Sequence, residues 1–141
     1  MKRFVLFILL AASVGFAQQQ GPAPAPKAKV LSRAEFDHLL ETPGQILLLD
    51  VRGPNEIAIN GGFPVYLSVQ AADLEKHLSE IPKDRRIVTV SNHANRASRA
   101  ADLLESKGFK IAGAIGAQVY ESEGGKLVKF EPPKPSAADQ K

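Results

Sequence analysis

The chain has 141 residues, no cysteine, and 18 basic against 15 acidic residues, for a net charge of +3. This length predicts a single domain, and the absence of cysteine excludes disulfide bonds and any thiol chemistry within the chain. Lys2 and Arg3 carry two of the basic charges, and the remaining net charge of +1 shows no basic patch for nucleic acid or a membrane surface.

The N-terminus has the pattern of a secretory signal peptide. Lys2 and Arg3 form a charged start, residues 4–16 are mostly apolar, and Gly15-Phe16-Ala17 offers small residues for cleavage. The apolar run is shorter than the roughly 20 residues that a membrane-spanning helix needs, and no cysteine follows it to carry a lipid anchor. We therefore expect residues 1–17 to be removed and the protein to be exported to the periplasm or the extracellular space, without membrane attachment.

Two low-complexity segments flank the part expected to fold. Residues 18–29 are rich in Pro and Ala and are predicted to be an extended linker. Residues 132–141 are poor in apolar residues and are predicted to be a disordered tail. The domain is therefore expected to cover residues 30–131, a common size for one compact domain.

Strand and helix patterns alternate along this domain. Ser32-Arg33-Ala34-Glu35 is a capping box that opens a short amphipathic helix. The apolar run over 46–51 is typical of a strand buried on both faces of a parallel sheet. The further predictions are strands over 65–69, 86–90 and within 109–115, helices over 72–78 and 96–107, a C-terminal cap at Gly108, and a helical turn over 117–121. The alternation predicts an α/β fold with a mainly parallel central sheet flanked by helices.

The loop after the strand over 86–90 is the best candidate for a functional site. It reads Ser91-Asn92-His93-Ala94-Asn95-Arg96 and leads directly into a helix. The backbone N–H groups of such a loop and the helix N-terminus favour an anion. Asp50 and Arg52 end the first strand, and ligands of parallel sheets lie beyond the carboxyl ends of the strands. The sequence therefore predicts an anion-binding loop, with Asp50, Arg52 and Arg99 as supporting residues.

These residues resemble the rhodanese-like sulfurtransferase family. Leu47-Leu48-Leu49-Asp50-Val51-Arg52 matches its first core strand and Asp-x-Arg ending, and Glu56 stands where a Glu usually follows. Asn95-Arg96-Ala97-Ser98-Arg99-Ala100-Ala101 resembles the helix after its nucleophile loop, and Tyr120-Glu121-x-x-Gly124-Gly125 resembles its closing segment. The resemblance implies a rhodanese-like domain, in which active members transfer sulfur through a cysteine persulfide.

Three positions depart from the family pattern. Ser91 replaces the nucleophilic cysteine, Ala94 replaces the loop glycine, and Gly62 replaces the His of a Gly-His pair. A serine hydroxyl is a far weaker acid than a thiol and cannot form a persulfide. We therefore predict a module without sulfurtransferase turnover and without a cofactor, which binds a small oxyanion, a sulfur-containing anion or a partner protein.

Ser91 allows other interpretations as well. It could be a serine nucleophile, a residue that lines a binding site, or a relic that keeps the loop folded. A nucleophile needs an adjacent base and a third group that orients the base, and His93 is the only candidate base nearby. His93 is better explained as a rim residue whose charge depends on pH. His38 and His77 are expected in solvent, and three scattered His without cysteine do not indicate a metal site.

Arg96 closes the loop, and two roles for it remain open. Its planar guanidinium can bind an oxyanion through two hydrogen bonds, or it can form a structural ion pair with Asp50 or Glu56. Asp50 and Arg52 are expected to shape the strand end through buried pairing. The alternative to a binding module is an enzyme, either of the thiosulfate sulfurtransferase type or a serine-based hydrolase. Related phosphatases use a cysteine in a loop one residue longer, so the six-residue spacing disfavours that chemistry.

Overall fold

The computed structural model describes residues 24–130, so the predicted signal peptide, the first half of the linker and the tail lie outside the described residues. Four parallel strands form one sheet in the order β2-β1-β3-β4. The strands are β1 (Ile46–Asp50), β2 (Leu67–Ser68), β3 (Arg86–Ser91) and β4 (Ile111–Gly116). The helices are α1 (Arg33–Leu40), α2 (Pro54–Asn60), α3 (Asn95–Ser106) and α4 (Ala117–Ser122), with 3₁₀ segments at Pro43–Gln45 and Ala71–Glu80. The predicted α/β fold with helices around a parallel sheet is confirmed.

Strand β1 is buried on both faces, as its continuous apolar run predicts. Leu48 faces a core shared with α1 and α4, where Phe36, Phe63 and Tyr120 meet edge to face with ring centroids 4.9–5.4 Å apart. Leu49 faces a second core, which contains Leu104 of α3. The sheet is therefore the middle layer of three, and both cores hold it without disulfides.

The segment before α1 extends the sheet beyond β4. Ala114 accepts a hydrogen bond from the N–H of Leu31 and donates its own N–H to the carbonyl of Lys29, both at 2.8 Å. The Asp102 carboxylate of α3 accepts the N–H groups of Lys27 and Ala28 at 2.8 and 2.7 Å. Residues 27–31 are thus held against the β4 edge and α3.

Local signals decide where two helices begin and end. At α1 the Ser32 hydroxyl accepts the N–H of Glu35, and the Glu35 carboxylate accepts the N–H of Ser32, which confirms the predicted capping box. Gly108 follows α3 at φ +84°, a conformation that costs glycine little, so its predicted capping role is confirmed. Within residues 24–130, no helix is long and apolar enough to cross a bilayer.

Three elements differ from the predictions. The strand predicted over 65–69 shrinks to Leu67–Ser68 because only these residues pair with β1, and Val65 is exposed. The helix predicted over 72–78 is the 3₁₀ segment Ala71–Glu80, whose apolar side chains still pack on the second core. Helix α2 was not predicted, because Ile57 is its single buried residue and gives no helical periodicity.

Candidate functional site

The predicted loop joins β3 to α3 at the carboxyl edge of the sheet. Ser91 is the last residue of β3, and α3 begins at Asn95. Between them Ala94 takes φ +66°, the left-handed conformation that glycine adopts more easily. Gly116, at the end of β4, lies against this turn, because a Cβ there would be only 3.0 Å from the backbone nitrogen of Ala94. The turn is therefore fixed by close backbone packing rather than by a favourable residue at position 94.

Ser91 holds the loop to the helix. Its side chain is buried (1% exposed), and Oγ accepts the backbone N–H of Ala97 at 3.1 Å. That bond satisfies one of the free N–H groups in the first turn of α3. The exposed ring of His93 forms no hydrogen bond with Ser91 in the part of the chain described, so the nucleophile hypothesis finds no base there. The geometry assigns Ser91 a capping role.

Several backbone donors of the loop remain free. The N–H groups of Asn92, His93, Ala94 and Arg96 have no acceptor among residues 24–130. They lie just before and within the first turn of a 12-residue helix, where the helix dipole favours negative charge. The loop therefore retains donors that an anion can accept from.

Arg96 is already paired with a carboxylate. Its Nη1 and Nη2 donate to Glu56 Oε2 and Oε1 at 2.9 and 2.6 Å, a bidentate pair between α3 and α2. The hydrogen bond from Arg96, helped by the N–H of Gly53, lowers the pKa of Glu56 from 4.5 to about 2, and Glu56 raises the pKa of Arg96. Of the two roles open for Arg96, the structure shows the ion pair, and its partner is Glu56 rather than Asp50.

Asp50 and Arg52 form the buried pair that the sequence predicts. Both side chains are fully buried, and Arg52 Nη2 donates to Asp50 Oδ2 at 2.6 Å while Nε donates to Oδ1 at 2.9 Å. The other guanidinium nitrogen of Arg52, Nη1, donates to the carbonyl of Gly61 at 3.0 Å and to Asn92 Oδ1 at 3.1 Å. The pair therefore supports the loop from beneath.

Asn92 connects the two ion pairs. Its amide accepts from Arg52 and donates to Glu56 Oε1 at 2.9 Å. Its carbonyl accepts the N–H of Gln118 at 3.1 Å, and the Gln118 side chain donates to Asn60 Oδ1 at 2.8 Å. The site thus gathers residues from β1, α2, β3, α3 and α4.

Arg99, the third predicted supporting residue, lies outside this hydrogen-bond network. It is exposed, and its guanidinium donates to the carbonyl of Pro24 at 3.4 Å. Its position three residues after Arg96 places it on a neighbouring face of α3. Among residues 24–130, no group of three or more His, Asp or Glu is arranged to hold a metal ion.

A family model for the rhodanese-like domain matches residues 32–126, about two thirds of the chain. The chain belongs to the rhodanese-like domain family. No curated protein matches it. The structure places Ser91 at the end of β3 and Arg96 in the first turn of α3, as the sequence pattern predicts.

Solved structures of other rhodanese-like proteins share this fold. A rhodanese-related protein from Thermoplasma volcanium is 23% identical with a TM-score of 0.63, over 72% of this chain and 99% of that chain. A rhodanese-like domain protein from Staphylococcus aureus is 19% identical with a TM-score of 0.60, over 73% and 99%. A thiosulfate sulfurtransferase from Pseudomonas aeruginosa is 22% identical with a TM-score of 0.61, over 74% of this chain and 21% of that chain. At these identities the likeness shows the fold alone.

Sequence reasoning missed the contributions of α2 and α4 to this rhodanese-like site. Asn60 and Gln118 lie in short helices far apart in the sequence, and no motif marks them. Helix α2 did leave a signal, since Pro54 at its first position and Glu56 at its third are typical of a helix start. The sequence did suggest Glu56 as a possible partner of Arg96, but it gave no indication of the hydrogen bond between Glu56 and Asn92.

Proposed function

We propose that this rhodanese-like domain does not carry sulfane sulfur and instead binds a small oxyanion or sulfur-containing anion at the loop from Ser91 to Arg96. The observation that carries the proposal is the set of free N–H groups on Asn92, His93, Ala94 and Arg96 at the start of α3. Thiosulfate, sulfate and phosphate present oxygens that accept such bonds. Ser91 offers no thiolate, and its hydroxyl caps the helix.

The Glu56 carboxylate limits how tightly an anion binds. Because it takes both arms of the Arg96 guanidinium, a ligand at the loop meets an arginine whose charge is already balanced. The Asp50–Arg52 pair is likewise neutral as a unit. Binding therefore rests on the backbone donors and the helix dipole, and we expect modest affinity that falls with salt.

A thermal-shift series with thiosulfate, sulfate, sulfite and phosphate tests the proposal, at ionic strength matched with chloride. We expect Tm to rise with anion concentration, as it does for any ligand that binds only the folded state. Glu56→Gln, which frees Arg96, should strengthen the shift. Arg96→Ala should weaken it, because it leaves the Glu56 carboxylate unpaired beside the loop. Asp73→Asn is the matched control, because it breaks an exposed carboxylate–lysine pair in the 3₁₀ segment, outside the loop network.

A lack of any anion-specific shift in the wild type and in Glu56→Gln would reject anion binding and favour a protein partner at the same loop. We further propose that the protein acts outside the cytoplasm, on the support of the signal-peptide pattern over residues 1–17.

A further inference from the structure

An apolar groove lies at the opposite end of β1 from the loop. Its cavity has a volume of about 420 Å³, within the range of roughly 300–1,000 Å³ typical of small-molecule sites. The buried side chains of Ile46, Leu48 and Phe63 line its interior, and the partly exposed Leu40 and Tyr66 line its sides. Since β1 starts in this groove and ends at the loop network, the two sites are separate.

The groove lies beside the short strand β2, since Leu67 and the residues just before it line the groove. Only Leu67 and Ser68 pair with β1, and residues 63–66 precede this pairing. Val65, which lines the groove, is 79% exposed. Apolar surface left open beside a concave apolar site is typical of a binding surface.

The groove carries a single charge. Arg85 is the one ionisable cation among its lining residues, and its side chain lies in solvent. Within residues 24–130, no carboxylate forms an ion pair with it. An apolar cavity with one unneutralised cation at its edge complements a ligand with an apolar body and one negative charge.

We propose that the groove binds a single-chain amphiphile with one carboxylate, that is, a medium-chain fatty acid. The chain lies against the accessible part of the lining, at Leu40, Val65 and Tyr66, and the carboxylate lies at Arg85. Burial of the chain drives binding, and the exposed ion pair adds a smaller contribution that salt weakens. This function is independent of the loop from Ser91 to Arg96.

Isothermal titration of the purified protein with decanoate, below its micelle concentration, tests the site. We expect saturable binding of one decanoate per chain. Val65→Asp places a carboxylate in the groove at an exposed position and should weaken binding by about tenfold or more. Ile59→Asp is the matched control, because Ile59 is equally exposed (78%) but lies in α2, outside the groove, and it should leave the affinity unchanged.

The role of Arg85 is tested with a charged and an uncharged ligand. Arg85→Ala should weaken decanoate binding roughly two- to fivefold, the effect of an exposed ion pair, and leave 1-decanol binding unchanged. Arg86→Ala removes the same charge from an exposed neighbour that does not line the groove, and it should change neither.

Three results would overturn the proposal. The first is no saturable binding of decanoate, and the second is an equal loss in Val65→Asp and Ile59→Asp. The third is a dimer, seen by analytical ultracentrifugation, that dissociates in Val65→Asp but not in Ile59→Asp. That result would mean that a second copy of the chain covers the groove.

Discussion

Ser91 is one of three positions that depart from the family pattern, and it has an oxygen where that pattern has the sulfur of a cysteine. The Ser91 oxygen accepts the N–H of Ala97, and the loop that follows carries the free N–H groups of Asn92, His93, Ala94 and Arg96. A cysteine sulfur placed there would lie within reach of the Ala97 N–H at the start of α3, and a helix N-terminus lowers the pKa of a thiol. The backbone of the site is therefore suited to a thiolate that the chain does not contain.

We predict that Ser91→Cys gains persulfide formation with thiosulfate. The thiolate attacks the sulfane sulfur, the sulfur–sulfur bond of thiosulfate breaks, and sulfite leaves with the bonding electrons. Mass spectrometry should show the addition of one sulfur atom in Ser91→Cys and none in the wild type or Ser91→Ala. Thiosulfate:cyanide transfer by the wild type should stay at background. Turnover by the wild type that disappears in Ser91→Ala would contradict the prediction.

Glu56 makes stability depend on pH. Its folded pKa of about 2 lies below the ordinary 4.5, mainly through the bond from Arg96. A lowered carboxylate pKa stabilises the fold above about pH 4.5, and this contribution is lost as pH falls toward 2. Because the side chains of Arg96 and Glu56 are 41% and 34% exposed, solvent screening limits the contribution to about 1 kcal/mol or less.

Glu56→Gln should therefore flatten the pH dependence. Urea unfolding at about pH 5 and about pH 3 should show a smaller loss of stability in Glu56→Gln than in the wild type. Glu35, whose pKa Lys29 and Ser32 also lower to about 2, titrates in both proteins, so the difference isolates Glu56. Equal losses would show that the Arg96 pair contributes nothing to stability.

Among the elements, the turn before α3 carries backbone strain at Ala94. A left-handed conformation costs an L-residue about 1–2 kcal/mol. Glycine avoids this cost, but the greater entropy of its unfolded state offsets part of the stabilisation. We predict that Ala94→Gly stabilises the protein by about 0.5–1 kcal/mol in urea unfolding. Ala97→Gly, at a buried position in the first turn of α3, should instead destabilise the protein by about 1 kcal/mol or more, because helix propensity and packing are both lost. A loss of stability in Ala94→Gly would mean that the packing of its Cβ outweighs the strain.

Gly116, at the end of β4, lies very close to the backbone of the loop. A Cβ on Gly116 would lie 3.0 Å from Asn92 O and 3.1 Å from the His93 carbonyl carbon, and backbone cannot move aside as a side chain can. Gly116→Ala should therefore destabilise the fold by about 1–3 kcal/mol. Gly44→Ala, where no atom lies within 4 Å, should change stability by less than about 0.5 kcal/mol. Similar unfolding midpoints for the two variants would argue against a rigid turn.

The elements with a strong sequence signal are the ones that prediction placed well. The apolar run of β1 and the capping box of α1 are formed by residues adjacent in the sequence. Both elements could therefore be predicted without knowing their tertiary contacts. The strand over 65–69 was predicted too long, because only Leu67 and Ser68 pair with β1. Helix α2 was missed because it lacks apolar periodicity, although Pro54 and Glu56 are typical of a helix start. The loop was located from its pattern, but the pairing of Arg96 with Glu56 required the distance between α2 and α3.

At the scale of the whole molecule, export remains to be tested. We predict that expression of the full chain in a bacterium with a periplasm yields a protein that lacks the first 17 residues, since the charged start, apolar run and cleavage site agree. Intact mass and N-terminal sequencing of the periplasmic fraction measure this. A protein that keeps Met1 and stays in the cytoplasm would contradict the prediction.

The segment at residues 27–31 has a consequence for aggregation. An exposed edge strand is a template on which other chains can add strands. On the β4 side, Lys29 and Leu31 occupy the hydrogen bonds of Ala114, and Asp102 holds the segment in place. On the other side, β2 offers only two residues. Within residues 24–130, the β4 edge is covered at Ala114 and the β2 edge is two residues long, so we expect strand addition at either edge to be weak.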